Sequence, residues 1–217
     1  MDAFEHCRRL VAEHQKERYW ASLYAPADKR GALFALYAFD HEISRVRSVV
    51  REPMAGEIRL QWWRDVIEGQ RGEEAAAHPV AAALLQTIAD YQLPVARLMT
   101  LIDAHAADLY DEPVDPERYG AETSGTVFAL AAQILGGQGD DVEHMAQHLG
   151  AADVLAATNP DEARQHREAA VRLLPQTPES VLPALLPATT NGKHDLPQWR
   201  RQWLIWRAAR NPSRIFA

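Results

Sequence analysis

Ser44, Arg47, Ser48 and Arg51 lie at intervals of three, one and three residues in "AFDHEISRVRSVVREP" (38–53). On a helix that turns about 100° per residue they share one face. Two guanidinium groups among hydroxyls can hold a phosphate or diphosphate directly, because arginine offers anionic oxygens a planar fork of N–H donors. Tyr37 and Asp40 continue this face toward the N-terminus. The ordinary alternative is a solvated polar surface with local pairs, such as Glu42 with Arg45, which contribute little.

Further along, His105 and Asp108 stand three apart in "HAADLY", and Tyr119 follows in "ERYG". Asp40 and Asp108 are candidate carboxylates, with Tyr37 and Tyr119 as candidate phenols beside them. A single pair of distant carboxylates seldom holds Mg²⁺ without substrate phosphates, so ion pairing or capping is the plainer role. Cys7 is the one cysteine. It excludes an internal disulfide, fits a reducing compartment and leaves no CxxC for zinc.

Tryptophans form two further groups. Trp62 and Trp63 are adjacent, so they diverge by about 100°, and one can anchor a core while the other lines a groove. Trp199, Trp203 and Trp206 share one face of "LPQWRRQWLIWRAARNP". Arg200, Arg201, Arg207, Arg210 and Arg214 surround them with no acid from 199 to 214. Such a helix can lie at a membrane interface or dock on a partner. More commonly a stripe of this kind closes its own core.

The elements that carry these residues are helical. Proline and glycine punctuate the 217 residues at helical intervals, and no alternating strand pattern stands out. The pattern predicts helices over 2–21 and 28–50, and others starting after Pro53 and at Pro79, Pro94 and Pro116. The last of these stops at Gly136–Gly137. Another runs from Asp140 to about Thr158, where Asn159-Pro160-Asp161-Glu162 reads as a cap, a first-turn proline and two acids matched to the helix dipole. "PESVLPALLPATT" is a broken helix, "NGKHDLP" (191–197) a loop, and 196–210 the final helix, which begins an amphipathic segment to 217. In the second helix Leu36, Phe39, Ile43, Val46 and Val50 form the apolar stripe that faces the core.

A net charge of −7 argues against nucleic-acid binding. No run of 18 or more apolar residues is present to cross a bilayer. "MDAFEHCRRL" has neither a secretion nor an import pattern. The expected location is the cytoplasm, at the inner membrane surface where the final helix docks there.

"LYAPADKRGALFALYAFDHEISRVRS" resembles the signature segment of the squalene/phytoene synthase family. "EIRLQWWRDVIEG", "HPVAAALLQTIADYQLP" and "DLYDEPVDPERYGAETSGTVFALAAQILGG" are similar to its later helices, so that about residues 18 to 158 are covered. The resemblance implies a single-domain, all-α isoprenoid-synthase-like bundle spanning 1–217, shortened toward the C-terminus. In the family an Asp-rich D-x-x-x-D motif follows "LYAF" and holds Mg²⁺ for a substrate diphosphate. Here the matching positions are Ser44 and Ser48, and the resemblance implies that Tyr37, Asp40, Asp108 and Tyr119 stand near the family's central cavity. Without a gap, Asp161 matches the first aspartate of the family's second motif and Gln165 replaces its last; with one, that motif is deleted. Either way the second metal site is incomplete.

One branch of the family, which includes a mitochondrial assembly factor for respiratory complex I, resembles this chain in lacking the aspartates while keeping "EIRLQWWRD". The resemblance therefore implies a non-catalytic accessory or assembly factor with a protein partner in a membrane complex, or a binder of a prenyl or lipid ligand, with no resident cofactor. A prenyltransferase that joins two prenyl diphosphates head to head is the other function it implies, and that one would use Mg²⁺.

Overall fold

Proline fixes where several of the helices begin. A computed structural model of the protein describes residues 2–110, 113–191, 193, 195–212 and 215, and every regular element among them is helical. The helices are α1 (Ala3–His14), α2 (Lys16–Ser22), α3 (Ala27–Ser44), α4 (Val46–Val49), α5 (Pro53–Ile67), α6 (Gly72–Ala77), α7 (Pro79–Tyr91) and α8 (Val95–Ala107). They continue as α9 (Pro116–Gly120), a π-helical turn (Ala121–Gly125), α10 (Thr126–Ile134), α11 (Asp140–Thr158), α12 (Pro160–Leu173), α13 (Leu182–Leu185) and α14 (Gln198–Arg210). α5, α7, α9 and α12 each start on proline, whose missing N–H costs nothing in a first turn. Asn159 caps α12 as its residue type predicts, accepting from the Glu162 N–H at 3.3 Å.

Two expected helices are broken. The 2–21 helix divides at Gln15, whose φ of −132° and ψ of 61° leave the helical region. The break lets α2 turn away from α1 and pack against α3, α13 and α14. The 28–50 helix ends at Ser44 and resumes as the single turn α4. There the Ser44 and Ser48 hydroxyls donate to the backbone carbonyls of His41 and Arg45, at 3.3 and 2.7 Å. Such bonds compete with the helical ladder, and the valines at 46, 49 and 50 propagate a helix poorly.

α3 is the central element, packed against α1, α2, α7, α8 and α10. Leu36, Phe39, Ile43 and Val46 are buried as the stripe predicts and Val50 is half-buried, but Leu33, Tyr37 and Asp40 on the other face are buried too. The middle of the helix, residues 32–40, is thus enclosed on all sides, and past it the second face reaches solvent from Ser44 onward.

α11 is the second hub, in contact with α9, the π turn, α10 and α12. Gly120 and Gly125 meet Gly150 so closely that a Cβ at Gly120 or Gly150 would collide with the opposing backbone. This crossing brings α9 onto α11.

Candidate functional site

Tyr37 and Asp40 project from the enclosed middle of α3 toward α2, where Arg18 forms an ion pair with Asp40. The guanidinium lies over the Tyr37 ring at 5.1 Å and donates to Gln15 Oε1 at 3.1 Å. Burial works to lower the Arg18 pKa, but the charge and hydrogen bond of Asp40 outweigh it and hold the group above its ordinary value. Burial pushes the Tyr37 phenol up to about 12. Asp40 is therefore a counterion, and its neighbours are a cation and a neutral phenol.

Asp108 follows α8 in a single 3₁₀ turn (Asp108–Tyr110). Its Oδ2 accepts the Tyr119 hydroxyl at 2.7 Å and lies 3.1 Å from His105 Nδ1. Burial and the Asp108 hydrogen bond together raise the Tyr119 phenol. Arg47 Nε donates to the backbone carbonyl of Asp108 at 3.1 Å, which ties α4 to this turn. Of the sequence-nominated residues, the structure brings Arg47, Asp108, Tyr119 and His105 together. Tyr37 and Asp40 form a separate, Arg18-centred group. Arg51 is exposed and lies past the end of α4, so the expected four-residue face of Ser44, Arg47, Ser48 and Arg51 does not continue as one helix.

This donor set does not fit the Mg²⁺ that the fold family implies. Mg²⁺ takes carboxylate and water oxygens in a near-ideal octahedron. At positions 44 and 48 the hydroxyls face their own helix carbonyls, and two arginines, Arg45 and Arg47, stand between them in sequence. Of the two nearby carboxylates, one neutralises Arg18 and the other is held by Tyr119 and His105.

Tyr119 also lines an open cleft of about 570 Å³ between α8 and the 113–122 segment, with Asp103, Asp115, Arg118 and Glu122. The adjacent tryptophans divide their roles. Trp63 is buried edge-on against Phe39, with ring centroids 5.1 Å apart. Trp62 donates to Glu74 at 2.8 Å and helps line a surface groove with Ile58 and His78.

α14 packs its Ile205 and Ala208 inward, against α2 and the 186–190 turn. Trp199, Trp203 and Trp206 remain 66%, 48% and 44% exposed, so the stripe does not close the core. Arg200, Arg207 and Arg210 each lie over one of these rings, 4.9–5.6 Å from its centre. Leu23 and Tyr24 are likewise exposed and extend the patch across a shallow groove. Arg214, and Gly192 and His194 of the expected loop, lie outside the described residues.

Two groupings were not foreseen from sequence. Arg18 is one. The other is a cluster at the junction of α9, α11 and α12, made of Glu117, His148, Glu162 and His166. Its local signals are two pairs four apart, His144 with His148 on α11 and Glu162 with His166 on α12.

A family model described as squalene/phytoene synthase matches residues 11–159. The human NADH dehydrogenase (ubiquinone) complex I assembly factor 6 is 30% identical over 151 residues, which cover 68% of this chain and 45% of that protein. The 15-cis-phytoene synthase of Synechococcus elongatus is 27% identical over 143 residues, 62% of this chain and 45% of the enzyme. The chain thus matches about half the length of these curated relatives. In fold it is similar to a crystal structure of a dehydrosqualene synthase, with a TM-score of 0.76 at 16% identity over 94% of each chain.

Proposed function

Because the chain belongs to the squalene/phytoene synthase family, we propose that it is a member without prenyltransferase activity, serving as an accessory factor in the assembly of a complex I-type NADH dehydrogenase. The observation that carries this reading is the state of the α3–α4 face. Head-to-head condensation begins with departure of a diphosphate, and bound metal ions stabilise that leaving group. Ser44 and Ser48 offer hydroxyls turned to their own backbone where carboxylates would be needed. The name of the human relative supports the choice of partner.

Work on a membrane complex also gives the α14 patch a use. Three exposed tryptophans with arginines stacked on them suit the headgroup layer of an anionic bilayer, where aromatic rings sit at the interface and cations meet phosphate. No helix of the described residues is long and apolar enough to cross a membrane, so contact would be peripheral.

The test is incubation of the purified protein with farnesyl and geranylgeranyl diphosphate, with and without Mg²⁺, followed by analysis of the extracted lipids. No C30 or C40 product is expected from folded protein, and product above the protein-free control would overturn the non-catalytic reading. For the partner, removing the gene from its host should lower the amount of assembled NADH dehydrogenase seen on native gels of the membranes. An unchanged amount would overturn the assembly role.

A further inference from the structure

Three helices converge on one small group of metal-ligand side chains. Glu162 and His166 stand four apart on α12 and so share a face. Glu117 comes from α9, which the Gly120–Gly150 crossing holds against α11, and α11 packs along α12. One donor atom from each of Glu117, Glu162 and His166 lies within 4.8 Å of the others.

The second layer is also in place. His166 Nδ1 lies 3.0 Å from Nδ1 of His148, so a single proton joins the two rings. With that proton on His166, its Nε2 presents a lone pair toward the two carboxylates. Asn159 Nδ2 donates to Glu162 Oε2 at 2.7 Å, which fixes that carboxylate and leaves its other oxygen available. A histidine ligand whose second nitrogen is hydrogen-bonded, beside a carboxylate that is itself held, is the arrangement metal sites use to orient their ligands.

Two carboxylates and an imidazole lone pair turned to one point offer three donors to a cation. No direct hydrogen bond joins His166 Nε2 to Glu117 Oε1, which are 3.7 Å apart, beyond hydrogen-bonding range. Two bonds of about 2.1 Å to a shared tetrahedral ion would place a pair of donors roughly 3.4 Å apart, a small adjustment from the 3.7 Å between His166 and Glu117. The His166 side chain is 12% exposed and that of Glu117 57%, so a cation has a route in from solvent.

We propose that Glu117, Glu162 and His166 bind a divalent first-row transition cation of the Zn²⁺ type, with His148 and Asn159 as positioning residues. The imidazole donor selects such ions over Mg²⁺, which prefers an all-oxygen shell. The site is separate from the α3–α4 face, and its occupancy does not depend on the accessory role. A bound ion would clamp α9 to α12.

The experiment is calorimetric titration of the untagged, chelator-treated chain with Zn²⁺, alongside Mg²⁺. One equivalent of Zn²⁺ should bind, with Mg²⁺ far weaker. Glu117→Gln and His166→Ala should each weaken Zn²⁺ binding by about tenfold or more, the scale at which even supporting groups act. Glu117 is exposed, so its variant keeps the fold, which circular dichroism checks. His144→Ala should bind as the parent does, because His144 is exposed and outside the donor set. Absence of saturable Zn²⁺ binding by the parent chain, or Zn²⁺ affinity in Glu117→Gln or His166→Ala equal to the parent's, would overturn the assignment.

Discussion

The pairing of Arg18 with Asp40 changes what Asp40 is for. From sequence alone Asp40 is a carboxylate beside a dismantled metal motif. In the fold it neutralises a guanidinium whose side chain is only 20% exposed, while its own is 10% exposed. Removing one partner of such a pair strands the other charge in a medium that solvates it poorly, at a cost of about 3–5 kcal/mol, whereas replacing both with apolar groups is often neutral. Asp40→Asn should therefore lower unfolding stability by about 3 kcal/mol, and the double variant Arg18→Met/Asp40→Leu should recover most of the loss. Urea unfolding of the three proteins checks this. A single variant within about 0.5 kcal/mol of the parent would show that the pair does not hold the fold. The legibility of the site divides at this point. Asp40 stands out because it sits on a helix face with Tyr37, but Arg18 is 22 residues earlier on another helix, and only tertiary packing joins them.

Helix ends were legible wherever proline, glycine or an Asn cap marks them, as at Pro53, Pro79, Pro116, Gly136–Gly137 and Asn159. They were not legible at Gln15 and Ser44, where the break answers to packing and to side-chain bonds with the backbone. The π turn at Ala121–Gly125 carries no local mark either; it lies where Gly120 and Gly125 must clear Gly150. α14 was legible in its periodicity, but its orientation was not, because an amphipathic stripe does not say whether a core or a surface takes it. With Ile205 and Ala208 inward, the tryptophan face is free to bind. The full chain should float with vesicles of anionic phospholipid at low ionic strength and dissociate as salt shortens the Debye length below about 10 Å. Trp203→Ser/Trp206→Ser should lose most of this binding with little change in Tm, since both rings are about half exposed. Failure of the parent chain to float at low salt would reject the membrane role for this face.

Over the whole molecule, histidines set the response to acid. Burial lowers the pKa of His41, His78 and His148. The charges of His14 and Arg45 add to the effect at His41, and those of His166 and His144 at His148. His14 stacks on His41 with centroids 4.7 Å apart, and His41 Nε2 is buried with no hydrogen-bond partner among the described residues. Unfolded, these imidazoles titrate near about 6.5, so between that value and their lower folded pKa the unfolded chain binds more protons than the native one. Stability is then fully present above about pH 6.5 and is lost as pH falls through that window toward the folded values. Glu5, Asp65 and Glu74, held low by hydrogen bonds to Arg8, Gln61 and Trp62 and by their neighbouring arginines, act with the same sign but only in stronger acid. Tm measured with a chelator present, so that a metal at Glu117 and His166 contributes nothing, should fall by several degrees between about pH 7.5 and pH 5.5. His41→Phe keeps an aromatic ring against His14 and removes one of the three titrating groups, so its pH dependence should be shallower. A parent Tm that is flat or rises over this interval would mean that these half-buried imidazoles are already protonated in the fold.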